Sequence, residues 1–297
     1  MLKKLYRAII PEPIRKFWGG VIYDISVRMH IWHLWELILV SYIGGKLSAY
    51  KKEIKFIVRH GIHMFPYNFV LRYGKCKFEV LYDNREEKNY VLHRGKRLYF
   101  PKNTNTEDIR KMYLQLIMEQ DIDSPHRYWS KINEPEQGDI LVDVGASEGL
   151  IALEWIDVLS EVILIECNER WRDALQATFE PYKDKVSIIN KYCSNLCDQS
   201  NDTIDNIVRY KSNVVIKMDI EGAEIRALDG AGETLQRSDV KWAVCTYHTK
   251  TDAENIEQIM LKNQIRYEFS EGYLLLPYDE TYEYPFFRKA MIRGKKF

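Results

Sequence analysis

"DILVDVGASEGLIALEW", residues 139–155, runs an apolar strand into a glycine turn and then into a strongly apolar helix pattern. A strand, a glycine turn and a helix in this order form the phosphate- or nucleoside-holding corner of an open α/β sheet. Ser147 occupies the place where a dinucleotide fingerprint needs its second glycine to admit a pyrophosphate. That lost room disfavours NAD. Asp143, at the start of the loop, repels a diphosphate and suits a ligand carrying an ammonium or sulfonium.

Around this corner the chain repeats the pattern. "ILVDV", "EVILIE", "VSIIN", "NVVIKMDI" and "KWAVCTY" alternate with helical patterns at 149–159, 169–179, 222–236 and 252–262. Runs of Val and Ile without strict polar alternation predict parallel strands covered on both faces. Asn168 and Thr251 stand before two of the helices as caps, Thr251 with Glu254 three residues on. The expected fold is a three-layer, Rossmann-like α/β domain over residues 106–297, preceded by a small extension, 1–105.

In that extension Ile54, Phe56 and Val58, then Phe78, Val80 and Tyr82, then Leu98 and Phe100 read as short strands, with turns at 83–84 and 94–95. His60 and His63 have no third ligand nearby and read as a surface turn. A helix follows over "TEDIRKMYLQLIMEQ", where Thr104 and Glu107 form the expected capping box. Pro125 stops it. Ser124, His126, Arg127 and Tyr128 are left on a connection that either caps and packs or faces the cleft.

Formal net charge is zero, but residues 1–77 carry 14 Lys and Arg against 4 Asp and Glu, a local excess of ten positive charges. "MLKKLYRAII" begins like a signal peptide until "PEP" interrupts it, which favours a cytoplasmic reading. "IWHLWELILVSYIGG", 31–45, is shorter than the roughly 20 residues that cross a bilayer and is interrupted by His33 and Glu36. With Trp18, Trp32 and Trp35, residues 1–50 read as a helical cover or as a peripheral contact with anionic lipid. The five cysteines lack disulfide or zinc spacing and are expected to be reduced and mostly buried.

Ligands of such a sheet bind beyond the carboxyl ends of the strands. This chain ends its strands at Asp143 and Gly145, at Glu166, near Asn190, at Asp219 and Glu221, and at Tyr247 and His248. Glu166, 21 residues after Gly145, is placed to accept hydrogen bonds from two ribose hydroxyls. S-adenosylmethionine combines that ribose with both cations. Asp219 and Glu221 repel one another unless a proton, a cation such as magnesium or a hydroxyl-rich ligand lies between them. Glu224, in the first turn of a helix, reads as helix stabilisation.

"DVGASEG" at 143–149, "IKMDIEGAE" at 216–224, "YH" at 247–248 and the C-terminal "GYLLLP" and "FFRKAMIRG" together resemble FkbM-type S-adenosylmethionine-dependent methyltransferases of the class I superfamily. "YLQLIMEQDIDSPHRYW" resembles a lead-in of one branch, so the likeness covers about residues 110–295. Ser147 departs from the asparagine usual in the family loop. The resemblance implies sheet order 3-2-1-4-5-7-6 with an antiparallel last strand, drawn from "YEFS" and "YLLLP", and with Phe286, Phe287, Met291 and Ile292 packing the sheet edge. It also implies an S-adenosyl-L-methionine site at Asp143, Gly145, Ala146, Ser147, Gly149, Glu166 and Asn190. Asp219 and His248 are the catalytic candidates, His248 as base or substrate orienter, with a structural hydrogen bond or metal ligation as alternatives. Glu221, His126, Arg127 and Tyr128 are the substrate candidates.

The expected reaction is methyl transfer to a hydroxyl oxygen of a saccharide, glycolipid or secondary metabolite. The competing readings are a non-catalytic binding or assembly module on the same fold and an NAD-dependent oxidoreductase. The chain carries no nucleic-acid recognition module and no Asn/Asp-Pro-Pro-aromatic motif of base methylation, which argues against a nucleic-acid substrate.

Overall fold

A computed structural model of the chain describes residues 32–276 and 286–297. The signal-like start, Trp18 and Pro277 at the end of "YLLLP" lie outside the described residues. The chain divides into two compact units, residues 1–67 with 275–287, and residues 68–274 with 288–297.

In the first unit, helix α1 spans 32–43 and α2 spans Lys51–His60. The strand expected from Ile54, Phe56 and Val58 is part of α2. Glu53, Ile54, Phe56 and Ile57 are buried and Val58 is exposed, a 3.6-residue stripe in which Ile57 breaks the apparent alternation. Glu53 accepts a hydrogen bond from the Tyr67 hydroxyl at 2.6 Å, which satisfies the one acid on that face.

The second unit opens with an antiparallel meander, β1 (Leu81–Asp83), β2 (Lys88–His93) and β3 (Lys96–Tyr99). The β2–β3 turn places Arg94 at φ 49° and Gly95 at φ 82°, the left-handed pair that a tight hairpin requires. Helix α3 (Thr106–Glu119) follows. Its cap is Asn105, whose side chain accepts the Asp108 N–H at 2.8 Å. Thr104 is not the cap, because its hydroxyl donates to the Pro101 carbonyl.

Seven strands form the main sheet: β4 (Ile140–Val144), β5 (Glu161–Ile165), β6 (Val186–Ile189), β7 (Val214–Met218), β8 (Val240–Cys245), β9 (Arg266–Phe269) and β10 (Met291–Lys295). Their spatial order is β9-β10-β8-β7-β4-β5-β6. The first five are parallel, and β10 is antiparallel to both β8 and β9. This is the 3-2-1-4-5-7-6 order of a Rossmann-like class I methyltransferase sheet. Strand six is "RYEF". "YLLLP" contributes no strand to this sheet, and strand seven comes from "MIRGK". Met291 and Ile292 are therefore fully buried in an inner strand instead of packing an edge.

Every residue of β7 and β8 is buried, as expected for strands between two helix layers. The connecting helices are α4 (Leu150–Trp155), α5 (Glu169–Phe179), α6 (Glu224–Asp229) and α7 (Asp252–Lys262). Asn168 caps α5 by accepting the Arg170 N–H. Thr251 makes no cap bond on α7; there the Asp252 carboxylate accepts the Thr249 N–H at 2.6 Å. The connection after α3 is fastened to the sheet through buried Asn133, whose amide donates to the carbonyls of Tyr128 and Trp242. Of the five free thiols only Cys193 and Cys245 are buried, fewer than expected.

Candidate functional site

The glycine corner is shaped by close approaches. Gly145 has φ 79°, and a Cβ there would lie 2.0 Å from the Asp219 carbonyl oxygen, so only glycine lets the loop rest on the end of β7. Gly149, φ 78°, precedes α4, and a Cβ there would meet the Phe179 ring at 2.6 Å. Ser147 between them also adopts a left-handed φ of 46°. Ala146 is buried, and its N–H donates to the Ile165 carbonyl.

Ser147 donates its backbone N–H to Glu166 Oε2 at 2.8 Å, and Asn168 donates its own to Oε1 at 2.7 Å. Two amides thus fix the Glu166 carboxylate beside the loop. Asn190 donates to the Glu166 carbonyl at 2.8 Å, which makes it a brace for the end of β5.

Asp143 is 1% exposed, and its Oδ1 lies 2.9 Å from Lys217 Nζ. Lys217 also donates to the Gly145 carbonyl at 2.6 Å and sits 5.3 Å from the centre of the Tyr128 ring. Burial alone would lower the lysine's pKa, but Asp143 and Asp219 hold it above its ordinary value. The negative charge of Asp143 is therefore matched within the protein, and the argument from simple repulsion of a diphosphate loses its force. A lysine inside an all-buried strand needs such a partner, so "VVIKMDI" carried the signal of this pair.

Asp219 is the hub of the second half of the site. It accepts hydrogen bonds from the hydroxyls of Tyr128 (2.6 Å) and Tyr247 (3.3 Å) and lies 3.2 Å from His248 Nε2. Burial pushes its pKa up, but His248, His126 and Lys217 outweigh burial and hold it below the usual carboxylate range. The other nitrogen of His248, Nδ1, lies 2.9 Å from Oε1 of fully buried Glu224. Burial disfavours the imidazolium, but the two flanking carboxylates override it and raise the pKa to about 10. At neutral pH His248 is a cation between two anions.

Glu224 has more to do than stabilise a helix, since Oε1 also accepts the Ile220 N–H at 2.8 Å. The gap expected between Asp219 and Glu221 is filled differently. The Glu221 side chain is 94% exposed, and its carboxylate stands 3.8 Å from His248 Nε2, so the imidazolium supplies the positive charge there. Ligand atoms of Asp219, Glu224 and His248 lie within 4.8 Å of one another, as do those of His126, Asp219 and Cys245; in the first group the imidazolium offsets one of the two carboxylates.

The lead-in segment enters the site only in part. His126 is buried, with Nε2 3.2 Å from the Tyr247 hydroxyl, and burial lowers its pKa to about 4, so it is neutral where His248 is charged. Tyr128 is buried against Asp219. Arg127 is not in the cavity wall; its carbonyl accepts a hydrogen bond from Arg293.

Between α3, the glycine loop and the ends of β4 and β7 lies a cavity of about 190 Å³. Glu119, Glu148, Asp143, Asp219 and Glu221 contribute carboxylates to its wall, with Lys217, Tyr128 and Tyr247 beside them. Loss of hydration raises Glu119 to about 8 and Glu148 to about 7. Neither Glu148 nor Glu119 is among the site residues expected from sequence. A carboxylate in the apolar first turn after a glycine loop was the available signal for Glu148; Glu119 closes an amphipathic helix and offered none.

Residues 198–273 match the family model of the methyltransferase FkbM domain, a span that includes Asp219, Glu224 and His248 but begins after the glycine loop. No curated protein matches the chain. Among solved structures, the methyltransferase FkbM from Methylobacillus flagellatus KT is 18% identical, with 64% of this chain and 55% of that chain covered and a TM-score of 0.43. The chain thus spans about half the length of that protein. The precorrin-6y C5,15-methyltransferase from Geobacter metallireducens GS-15 is 11% identical over 55% of this chain and 82% of that one, with a TM-score of 0.37. The M. capricolum TrmK in complex with S-adenosyl-homocysteine is 11% identical over 56% and 64%, with a TM-score of 0.36. On a sheet with class I methyltransferase strand order, residues 198–273 are thus similar to the methyltransferase FkbM domain.

Proposed function

We propose that the chain is an S-adenosylmethionine-dependent O-methyltransferase whose acceptor is a hydroxyl of a saccharide, glycolipid or secondary metabolite. The observation that carries this reading is the Asp219 carboxylate, kept anionic by His248 and already accepting two tyrosine hydroxyls beside the glycine loop. A carboxylate that takes hydroxyl donors at the strand ends is suited to take one from a substrate.

The donor set fits the cofactor. Each Glu166 oxygen accepts one backbone amide and keeps a lone pair for a ribose hydroxyl. The acid-lined cavity complements an ammonium and a sulfonium. S-adenosylmethionine would supply an activated methyl group, so the protein has chiefly to align the acceptor and exclude water. Asp219 would orient the acceptor hydroxyl and take its proton as the carbon–oxygen bond forms, since the oxonium produced is far more acidic than a carboxylic acid. His248, already protonated, would hold Asp219 in place and ionised, a positioning role through a structural hydrogen bond, one of the alternatives the sequence leaves open, and not that of a base. Its positive charge lies between Asp219 and Glu221, where a cation such as magnesium is the alternative. Tyr128 and His126 would shape the acceptor side, and Glu221 its rim.

Calorimetry with S-adenosylmethionine and with NAD tests the cofactor, and transfer of label from methyl-labelled S-adenosylmethionine into glycan, lipid and small-molecule fractions tests the reaction. Glu166→Ala is expected to weaken cofactor binding, and Asp219→Asn to leave it nearly intact while abolishing transfer. Absence of cofactor binding together with no labelled fraction would leave the non-catalytic module standing.

A further inference from the structure

The first unit presents an apolar surface that its own packing does not use. On α1, Leu34 and Ile38 are buried, whereas Trp32, Val40 and Ile43 are 70%, 68% and 82% exposed, with Leu39 and Tyr42 exposed as well. Aliphatic side chains this open, several on one short helix, mark an interaction surface. In the same unit the exposed positions of α2 are Lys51, Lys52, Lys55, Val58, Arg59 and His60. Its one acid, Glu53, is buried and bonded to Tyr67. Across the described residues 32–67 the only exposed carboxylate is Glu36. Among the described residues 32–67, α1 therefore offers exposed aliphatic and aromatic side chains and α2 offers cations, with Glu36 the one exposed anion.

We propose that this unit is a peripheral docking surface for an anionic lipid bilayer. The exposed side chains of α1 enter the boundary between headgroups and acyl chains, and the cations of α2 are drawn to lipid phosphate. Charge selects this partner. A neutral apolar protein groove would leave Lys51, Lys52, Lys55 and Arg59 uncompensated, and a nucleic acid would leave Val40 and Ile43 unburied. Among the described residues no helix is long and apolar enough to cross a membrane. Neither helix supplies a residue to the site around Asp219, and this inference is independent of the proposed methyl transfer.

Co-sedimentation of the full chain with phosphatidylcholine vesicles, with and without phosphatidylglycerol, tests it. Binding is expected only with the anionic lipid, and high salt should release it. Each of Lys51→Gln, Lys52→Gln and Lys55→Gln is expected to weaken partitioning about fivefold. Val40→Asp combined with Ile43→Asp should abolish it while circular dichroism and the thermal transition stay unchanged. No binding to anionic vesicles at low salt overturns the proposal, as does binding that neither set of variants alters. Self-association that disappears in the Val40/Ile43 variant, without vesicle binding by the parent, would assign the surface to a second copy and overturn it too.

Discussion

Glu224→Gln isolates the charge on which the reading of His248 depends. The amide keeps the shape of the side chain and an oxygen for the Ile220 N–H, but removes the anion 2.9 Å from His248 Nδ1. An opposite charge this close shifts a pKa by about 1–3 units, or ~1.4–4 kcal/mol. The His248 value of about 10 should fall accordingly. A folded pKa above the unfolded one, near 6.5, adds stability that is complete below 6.5 and disappears as pH rises through the folded value. The parent should therefore lose this contribution between 6.5 and about 10, and the variant over a lower and narrower window. The stability difference should be largest in mildly acidic solution and close as pH rises. A residual offset of about 1–3 kcal/mol, independent of pH, is expected because Glu224 Oε2 has no hydrogen-bond partner and an amide NH₂ there would be buried unpaired. Urea unfolding across this pH range, with an imidazole NMR titration of His248, measures both parts. A difference that stays flat with pH, or a parent His248 that titrates near 6.5, would refute the imidazolium assignment.

Lys217→Met should cost about 3–5 kcal/mol in urea unfolding by leaving Asp143 buried and unpaired, and Asp143→Asn in the same chain should restore much of it. Gly145→Ala must move the Asp219 carbonyl away from a Cβ placed at 2.0 Å, so a lower thermal transition and a shifted His248 titration should appear together. Because Glu148 and Glu119 titrate near 7 and 8, the affinity for S-adenosylmethionine, measured by calorimetry, should strengthen as pH rises through that range, and the affinity for S-adenosylhomocysteine less so.

The parallel strands were legible because burial on both faces leaves Val- and Ile-rich runs, and Gly145, Glu166, Asp219 and His248 because strand ends are fixed by those runs. Strands six and seven were not separable by pattern. "YLLLP" is more apolar than "MIRGK", yet it is "MIRGK" that joins the sheet, by pairing with β8, a long-range choice. In α2 the local alternation Ile54, Phe56, Val58 imitated a strand until Ile57 was counted on the same face. Sequence showed which charged groups converge, but not how they partner. Asp143 was assigned to a ligand because Lys217, although only two residues before Asp219, is joined to it through sheet register. The choice between base and structural partner for His248 stayed open because burial of Glu224 cannot be seen in "DIEGAE".

The partners also determine what the cavity can recognise. Asp143 is neutralised by Lys217, and Asp219 and Glu224 share the charge of His248. Of the cavity's other carboxylates, Glu119 and Glu148 are the ones poised to change charge near neutral pH. A cation entering the cavity favours their ionised forms and releases protons; a neutral molecule of the same shape does not. S-adenosylmethionine differs from S-adenosylhomocysteine by a methyl group and the sulfonium charge that goes with it. Under the proposed reaction, transfer of that methyl would remove the charge that favours ionisation of the two glutamates, and their reprotonation would weaken the electrostatic hold on the product. The loop motif alone would not supply such discrimination; it would come from two carboxylates that titrate near neutral pH, one of them at the residue after Ser147.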